Sequence, residues 1–225
     1  MEFLVEFERT NRNQIKRIPN RGHYDRATIY GILDAGFLCH VGFVVDGQPF
    51  VIPTLYGRSG DSVYVHGSAA SRLLKNLAQG INVCLTVTHV DGLVLARSAF
   101  HHSMNYRSAV LFGSAVEVAG DEKERGLFVI SEQVLKGRWH EVRPPVEKEL
   151  KATSVLRLDI ESASAKIRTG PPSDEPEDYA LPIWAGVVPI AQRFCAVEPD
   201  ERLGESIEEP QSLKNLLGEG TAGAR

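Results

Sequence analysis

The sequence predicts a mainly β fold, an antiparallel barrel with a few peripheral helices. Short apolar or alternating runs follow one another between residues 37 and 118 with little helix between them. Tight-turn dipeptides, Asp46-Gly47 and Asp91-Gly92, separate several of these runs. A doubly wound parallel sheet would need a helix after nearly every strand, and that alternation is missing.

Residues 25–35 read as a short helix capped by Asp25 and closed by Gly36, with Ile29, Ile32 and Leu33 on its inner side. A continuous apolar strand follows at 37–45, Asp46-Gly47 turns the chain, and residues 49–55 return. Pro53 interrupts the return strand, so its backbone lies at an edge or faces something other than a neighbouring strand. Residues 57–61 have turn composition and 62–66 are β-formers, which makes a second hairpin. From Ser68 the period becomes helical, with Ala70, Leu73, Leu74 and Leu77 on one face. Residues 81–88 alternate, with Ile81, Val83, Leu85 and Val87 on one side and Asn82, Cys84, Thr86 and Thr88 on the other. Asp91-Gly92 is expected to turn this strand into another over 93–100, and a long strand follows at 109–118.

Asp121 and Glu124 are expected to cap a helix that Lys136-Gly137 ends. Pro144 and Pro145 break the chain ahead of a helical turn, and strands are expected near 153–160 and 163–168. Residues 170–178 are a Pro- and acid-rich loop. A single domain is expected over residues 1–195, and residues 196–225 are expected to be an acidic, mobile tail with at most one helical turn at 213–217.

A chain of 225 residues with 43% hydrophobic content can bury a sizeable core. Its 25 Lys and Arg against 29 Asp and Glu leave a net charge of -4, which offers no general attraction to nucleic acid or to an anionic membrane. Any affinity for phosphate must therefore be local. Cys39, Cys84 and Cys195 are widely spaced and form no C-x-x-C pair, as expected of free thiols in a reducing compartment. The first 21 residues carry Glu and Arg in place of a long apolar stretch, so neither a signal peptide nor a membrane span is read there, and a cytoplasmic location is expected.

Gly67 and Ser68 lie where the second helix is expected to open, and free N–H groups with the positive end of the dipole suit a phosphate there. Ser71 adds a hydroxyl and Arg72 a guanidinium fork. Alternatively Ser68 is an ordinary N-cap, with Arg72 and Lys75 in solvent. Neither common phosphate loop, G-x-x-x-x-G-K-[ST] or G-x-G-x-x-G, follows a strand. His66, at a strand end, either faces a cofactor or caps the turn. His101 and His102 face opposite sides if extended, and with His40 and His89 they show no zinc-ligand spacing, so no metal site is expected. Ser103 lacks recognisable triad partners.

Several short motifs recur in a particular order: Arg17-Ile18-Pro19, Tyr24-Asp25-Arg26, Val51-Ile52-Pro53-Thr54, His66-Gly67-Ser68 with Ser71-Arg72, Ser103-Met104-Asn105-Tyr106-Arg107-Ser108, and Trp184-Ala185-Gly186-Val187-Val188-Pro189. Across about residues 10–190 this order resembles the FMN-binding split-barrel proteins related to pyridoxamine 5'-phosphate oxidase, and more closely their nitroimidazole-resistance branch. The resemblance implies a six-stranded antiparallel split barrel, a homodimer, and FMN in clefts at the dimer interface. It assigns the FMN phosphate to Ser71 and Arg72 and lays the ring along the backbone of Ile52, Pro53 and Thr54. Arg107 and Ser108, followed by Gly113, match the start of the strand that carries Arg-Gln in the oxidase; the shorter Ser108 leaves a flavin contact to Asn105 or to water. Trp184 corresponds to a tryptophan that closes the flavin site from the other subunit. The oxidase's C-terminal Arg-x-His, which grips pyridoxal phosphate, is absent, so pyridoxamine phosphate oxidation is not expected. The implied function is a flavin-dependent oxidoreductase passing electrons from NAD(P)H to a small organic acceptor, with a nitroaromatic as one candidate. The alternative is a protein that binds flavin or haem for storage or sensing without turning anything over.

Overall fold

The computed structural model describes residues 6–78, 80–204 and 206–221, the side chains of 72, 73, 75 and 219–221 excepted. In chain order the elements are β1 (Gly22–His23), α1 (Arg26–Asp34), β2 (Leu38–Val45), β3 (Gln48–Ser59), β4 (Ser62–Ser68), α2 (Arg72–Leu77), β5 (Asn82–Leu95), β6 (Ser103–Val118), α3 (Gly120–Val134), α4 (Glu147–Ala152), β7 (Thr153–Asp159), β8 (Ser162–Arg168), β9 (Gly186–Pro189) and α5 (Gln211–Thr221). Strands β6, β7, β4, β3, β2 and β5 pair in that order, and β5 returns to β6, which closes a ring of six antiparallel strands. This is the split barrel expected from the sequence.

The split lies in β6. Its residues 106–112 pair with β8 and its residues 115–118 with β7. Gly113 sits at the crossing, where a Cβ would come within 2.2 Å of the Asp159 carbonyl oxygen, so the two strands separate around a position with no side chain.

Period-two alternation fills the ring. Val83, Leu85 and Val87 of β5 face inward and are nearly or fully buried, against Val41, Tyr56, Val63, Leu111 and Leu156. Helix α1 adds Ile29, Ile32 and Leu33 to this core, and the Asp25 carboxylate caps it by accepting from the Thr28 N–H at 2.8 Å. The buried Tyr56 hydroxyl donates to the Leu33 carbonyl, tying the end of α1 to β3. Helix α3 packs outside the ring, where Ile130 meets Tyr64, Val118 and Val155. The β2–β3 turn places Asp46 and Gly47 at φ of 50° and 76°, the left-handed pair of a tight hairpin.

Four expectations need correction. Asp91-Gly92 is not a turn: β5 runs through it with a register shift between Val90 and Gly92, and neither residue takes the positive φ that a two-residue hairpin needs. The Asp91 carboxylate instead accepts two hydrogen bonds from Arg107 on β6, both at 2.9 Å. The second helix begins at Arg72 with Ser71 as N-cap, because Gly67 and Ser68 are still paired with Ser154 and Thr153 of β7. Helix α3 has Ala119 at its N-cap and no side-chain cap; Asp121 and Glu122 lie in its first turn, where they favour the helix dipole, and Gly137 follows its end at φ 87°. The C-terminal segment forms α5 over 11 residues, more than the single turn expected, and Ser212 binds it to the body by donating N–H (2.9 Å) and hydroxyl to the Glu141 carboxylate. Leu213, Leu216 and Leu217 are half-buried at helical spacing, a pattern already present in the sequence. Among the described residues, no helix is long and apolar enough to cross a membrane.

Candidate functional site

The N-terminal half of β3 is paired on one side only. Residues 48–55 pair with β2, and β4 takes up the other side from Tyr56 onward. Alternate N–H and C=O groups of that half-strand therefore point away from the sheet, and Pro53 contributes no donor. The expectation that Pro53 marks an edge is met.

Beside this edge lies a groove of about 520 Å³, walled by Phe43, Phe50 and Ile52 from the hairpin and by Ser71 and Asn76 from α2. Phe43 and Phe50 stack with ring centroids 5.4 Å apart, giving it a flat apolar wall. The turn into α2 is closed by the Ser71 N–H donating to the Ser68 carbonyl at 2.8 Å, while the Ala70 N–H donates to the Ser68 hydroxyl at 3.2 Å. The Ser71 side chain makes no capping hydrogen bond, and Ser71 itself lines the groove. The Arg72 side chain lies outside the described residues. Of the candidates chosen from sequence, the structure thus gathers Ile52 and Ser71 in one groove, with Pro53 and Thr54 continuing the same strand and Gly67 and Ser68 leading into the same turn. Asp46 is the one titratable residue lining this groove among the described residues.

His66 is elsewhere. On β4 the core-facing positions are Val63 and Val65, so Tyr64 and His66 point outward, beneath α3. There His66 lines a second pocket, of about 510 Å³, together with Leu55, Leu127, Ile130, Trp139 and Leu150. Its Nδ1 is buried with no hydrogen-bond partner, and burial pulls the imidazole pKa below its ordinary value.

The candidates on β6 are engaged with neighbouring strands. Asn105 donates to the Gly170 carbonyl at 3.1 Å and accepts from Arg168. Arg107 holds Asp91, which keeps the guanidinium charged, and the Ser108 hydroxyl donates to the Lys166 carbonyl at 3.4 Å. Trp184 is 67% exposed on the segment before β9, which adds to the outer edge of β5.

Two anchors were not anticipated from sequence. Arg168 is buried, and besides Asn105 it reaches the carbonyls of Gly170 (3.4 Å) and Pro171 (3.3 Å). Asp174 has a fully buried side chain that accepts from the Arg97 N–H (2.9 Å), the Arg97 guanidinium (3.1 Å) and the Ser98 N–H (3.4 Å). Together they fasten residues 170–180 to the ends of β5 and β8. Nothing local distinguishes Asp174 from the other acids of that loop; only the cost of a buried arginine without a partner hints at the role of Arg168.

A profile of the pyridoxamine 5'-phosphate oxidase family matches residues 25–167. No curated protein matches the chain. Among solved structures, the flavocytochrome Anf3 from Azotobacter vinelandii is 42% identical over 92% of this chain and 97% of that one, with a TM-score of 0.86. The FAD and haem binding protein from Mycobacterium smegmatis is 36% identical over 87% of this chain and 97% of that one, with a TM-score of 0.84. A protein assigned to 5-nitroimidazole antibiotic resistance, from Bacteroides thetaiotaomicron, shares the fold at 22% identity, over 65% of this chain and 86% of that one, with a TM-score of 0.56. With more than half its length matched by the family profile and its six-stranded ring split at β6, the chain belongs to the pyridoxamine 5'-phosphate oxidase family.

Proposed function

We propose that the protein is a flavin-binding redox protein that also carries haem, working as an oxidoreductase between NAD(P)H and a small or protein-bound acceptor. The observation that carries the flavin assignment is the groove beside the half-paired stretch of β3, where a flat apolar wall meets an uncapped turn within one site. Haem enters from the two relatives at 42% and 36% identity, one named a flavocytochrome and the other an FAD and haem binding protein. A bound flavin supplies hydride acceptance and the return of electrons singly. The chain's own groups bind and orient: the open edge of β3 along residues 52–54 faces the ring, and the Ser71 hydroxyl with the first N–H groups of α2 faces the phosphate.

The sequence resemblance points to FMN and the mycobacterial relative's name to FAD. Both present a ring and a ribityl phosphate, and mass identification of the cofactor released by heat distinguishes them. Arg72→Ala removes a charge-assisted contact worth about 1.5–3 kcal/mol, so the flavin should bind about 10- to 100-fold more weakly. An unchanged dissociation constant would show that the phosphate sits elsewhere.

A homodimer completes this reading. The outward faces of β2, β3 and β5 expose Leu38, Val44, Val51 and Val90, with Val51 at 65%, an apolar surface that a second copy would cover while bringing its own Trp184 toward the cleft. Light scattering of the purified protein tests this directly. Among the described residues the lining of the groove holds no acid–base pair, which suits a second reading, in which the flavin is stored or sensed. Stopped-flow reduction by NADPH separates the two: rapid bleaching supports an oxidoreductase, and a flavin that stays oxidised supports a carrier or sensor.

A further inference from the structure

Resting on the haem part of that proposal, the structure also offers a place for the group. The pocket under α3 is lined by Leu55 of β3, Leu127 and Ile130 of α3, Leu150 of α4 and Trp139, apolar walls suited to a large flat ring. His66 is the one imidazole in its lining among the described residues. Of the charged residues at the rim, Glu149 is committed: it accepts from Arg143 (2.9 Å) and from the Val146 N–H (3.0 Å), contacts that hold its carboxyl down at about 2. Arg138 is available, since its one ion pair is a long 3.7 Å contact with Glu141 and its side chain is 41% exposed.

The His66 Nδ1 has no hydrogen-bond partner among the described residues, and leaving a buried ring nitrogen unpaired costs stability that a structural histidine would recover through a partner. A bare zinc ion would need three or four protein ligands, and no group of three or more His, Cys, Asp or Glu is assembled among the described residues. An iron already held by four porphyrin nitrogens needs only one or two from the protein. The geometry points to the pocket beneath α3 as the haem site, with His66 as an axial ligand to the iron and Arg138 pairing a propionate at the mouth.

The two sites then share one strand. Ile52 lines the flavin groove and Leu55 the haem pocket. Three residues of strand span about 10 Å, and the two side chains project from opposite faces. A flavin in the groove and a haem in the pocket would thus lie against opposite faces of β3.

The test is a haemin titration of the full-length protein followed at the Soret band, with bound flavin and far-UV circular dichroism measured on every variant. The wild type should take up one haem per chain. His66→Ala should shift the Soret band and weaken haem by more than the about 10- to 100-fold typical of losing an outer-shell partner, and added imidazole should restore the spectrum. Arg138→Gln should weaken retention with the Soret position unchanged. Leu150→Trp, which fills the pocket and leaves His66 in place, should block uptake. A wild type that takes up no haem overturns the haem part of the functional proposal. A wild type that binds haem while His66→Ala keeps the same spectrum and affinity overturns this site and leaves that proposal standing.

Discussion

Gly57→Ala tests how tightly α3 is seated on the barrel. Gly57 lies in the C-terminal part of β3, where it pairs with Tyr64 of β4, and its φ is not positive, so alanine suits the backbone. A Cβ there would stand 2.5 Å from the Val129 carbonyl oxygen, 2.6 Å from its carbon and 2.7 Å from the Ile130 nitrogen. These are backbone atoms of α3 and cannot rotate away; restoring 3.4 Å requires the helix to retreat by about 0.9 Å. Overpacking of this kind costs about 1–3 kcal/mol, while alanine recovers about 0.4–1 kcal/mol by stiffening the unfolded chain. Against backbone atoms that cannot give way, the upper part of that range applies, about 2–3 kcal/mol, so the net loss should be about 1–2.6 kcal/mol, a fall in Tm of about 2–10 °C for a chain of this size. Urea unfolding of the apoprotein should show a lower midpoint with an unchanged slope. Because Leu127 and Ile130 travel with α3, the pocket that they line should be disturbed, and the proposed haem affinity should fall with it. A variant as stable as the parent, or more stable, would refute the close seating of α3 on β3.

Tyr56→Phe removes the hydroxyl that joins β3 to the end of α1, but Gln133 still donates to the same Leu33 carbonyl at 3.2 Å, so the loss should stay near about 0.5–1.5 kcal/mol by thermal unfolding; a loss above about 3 kcal/mol would mean that the hydroxyl serves more than this bond. Burial raises the Asp174 carboxyl, yet the hydrogen bonds from Arg97 and Ser98 outweigh it and leave the pKa below its ordinary value. Its contribution is thus complete above the usual Asp range and is lost as pH falls through the lowered folded value, so hydrogen exchange of residues 170–180 should accelerate below about pH 4. In Asp174→Asn that acid step should vanish; a step persisting in the variant would point to another carboxylate.

What could be read from the sequence was local. The Asp25 cap, the Asp46-Gly47 turn and the inward set Val83, Leu85 and Val87 each depend on neighbours within a few residues, and each is found as expected. Asp91-Gly92 has the same composition as a hairpin turn, but its conformation is decided by Arg107 across the ladder and by β9, which arrives from Gly186–Pro189. Ser68 looked like a helix start because the β7 residues that keep it in a strand lie far downstream. For the site, Ile52 and Ser71 do share a groove. The separate position of His66 was available in the alternation of β4, since Val63 and Val65 claim the interior and leave residue 66 outside.

The half-paired stretch of β3 carries a hazard as well as a site. An unpaired strand edge flanked by exposed Val51 and Leu55 is a template on which another chain can add itself. Pro53 blunts that edge at a single residue, and a bound ligand together with a second subunit would cover the rest. Stripped of both, the protein would be left with an adhesive border, so the same backbone that receives the cofactor makes the cofactor a guard against self-association.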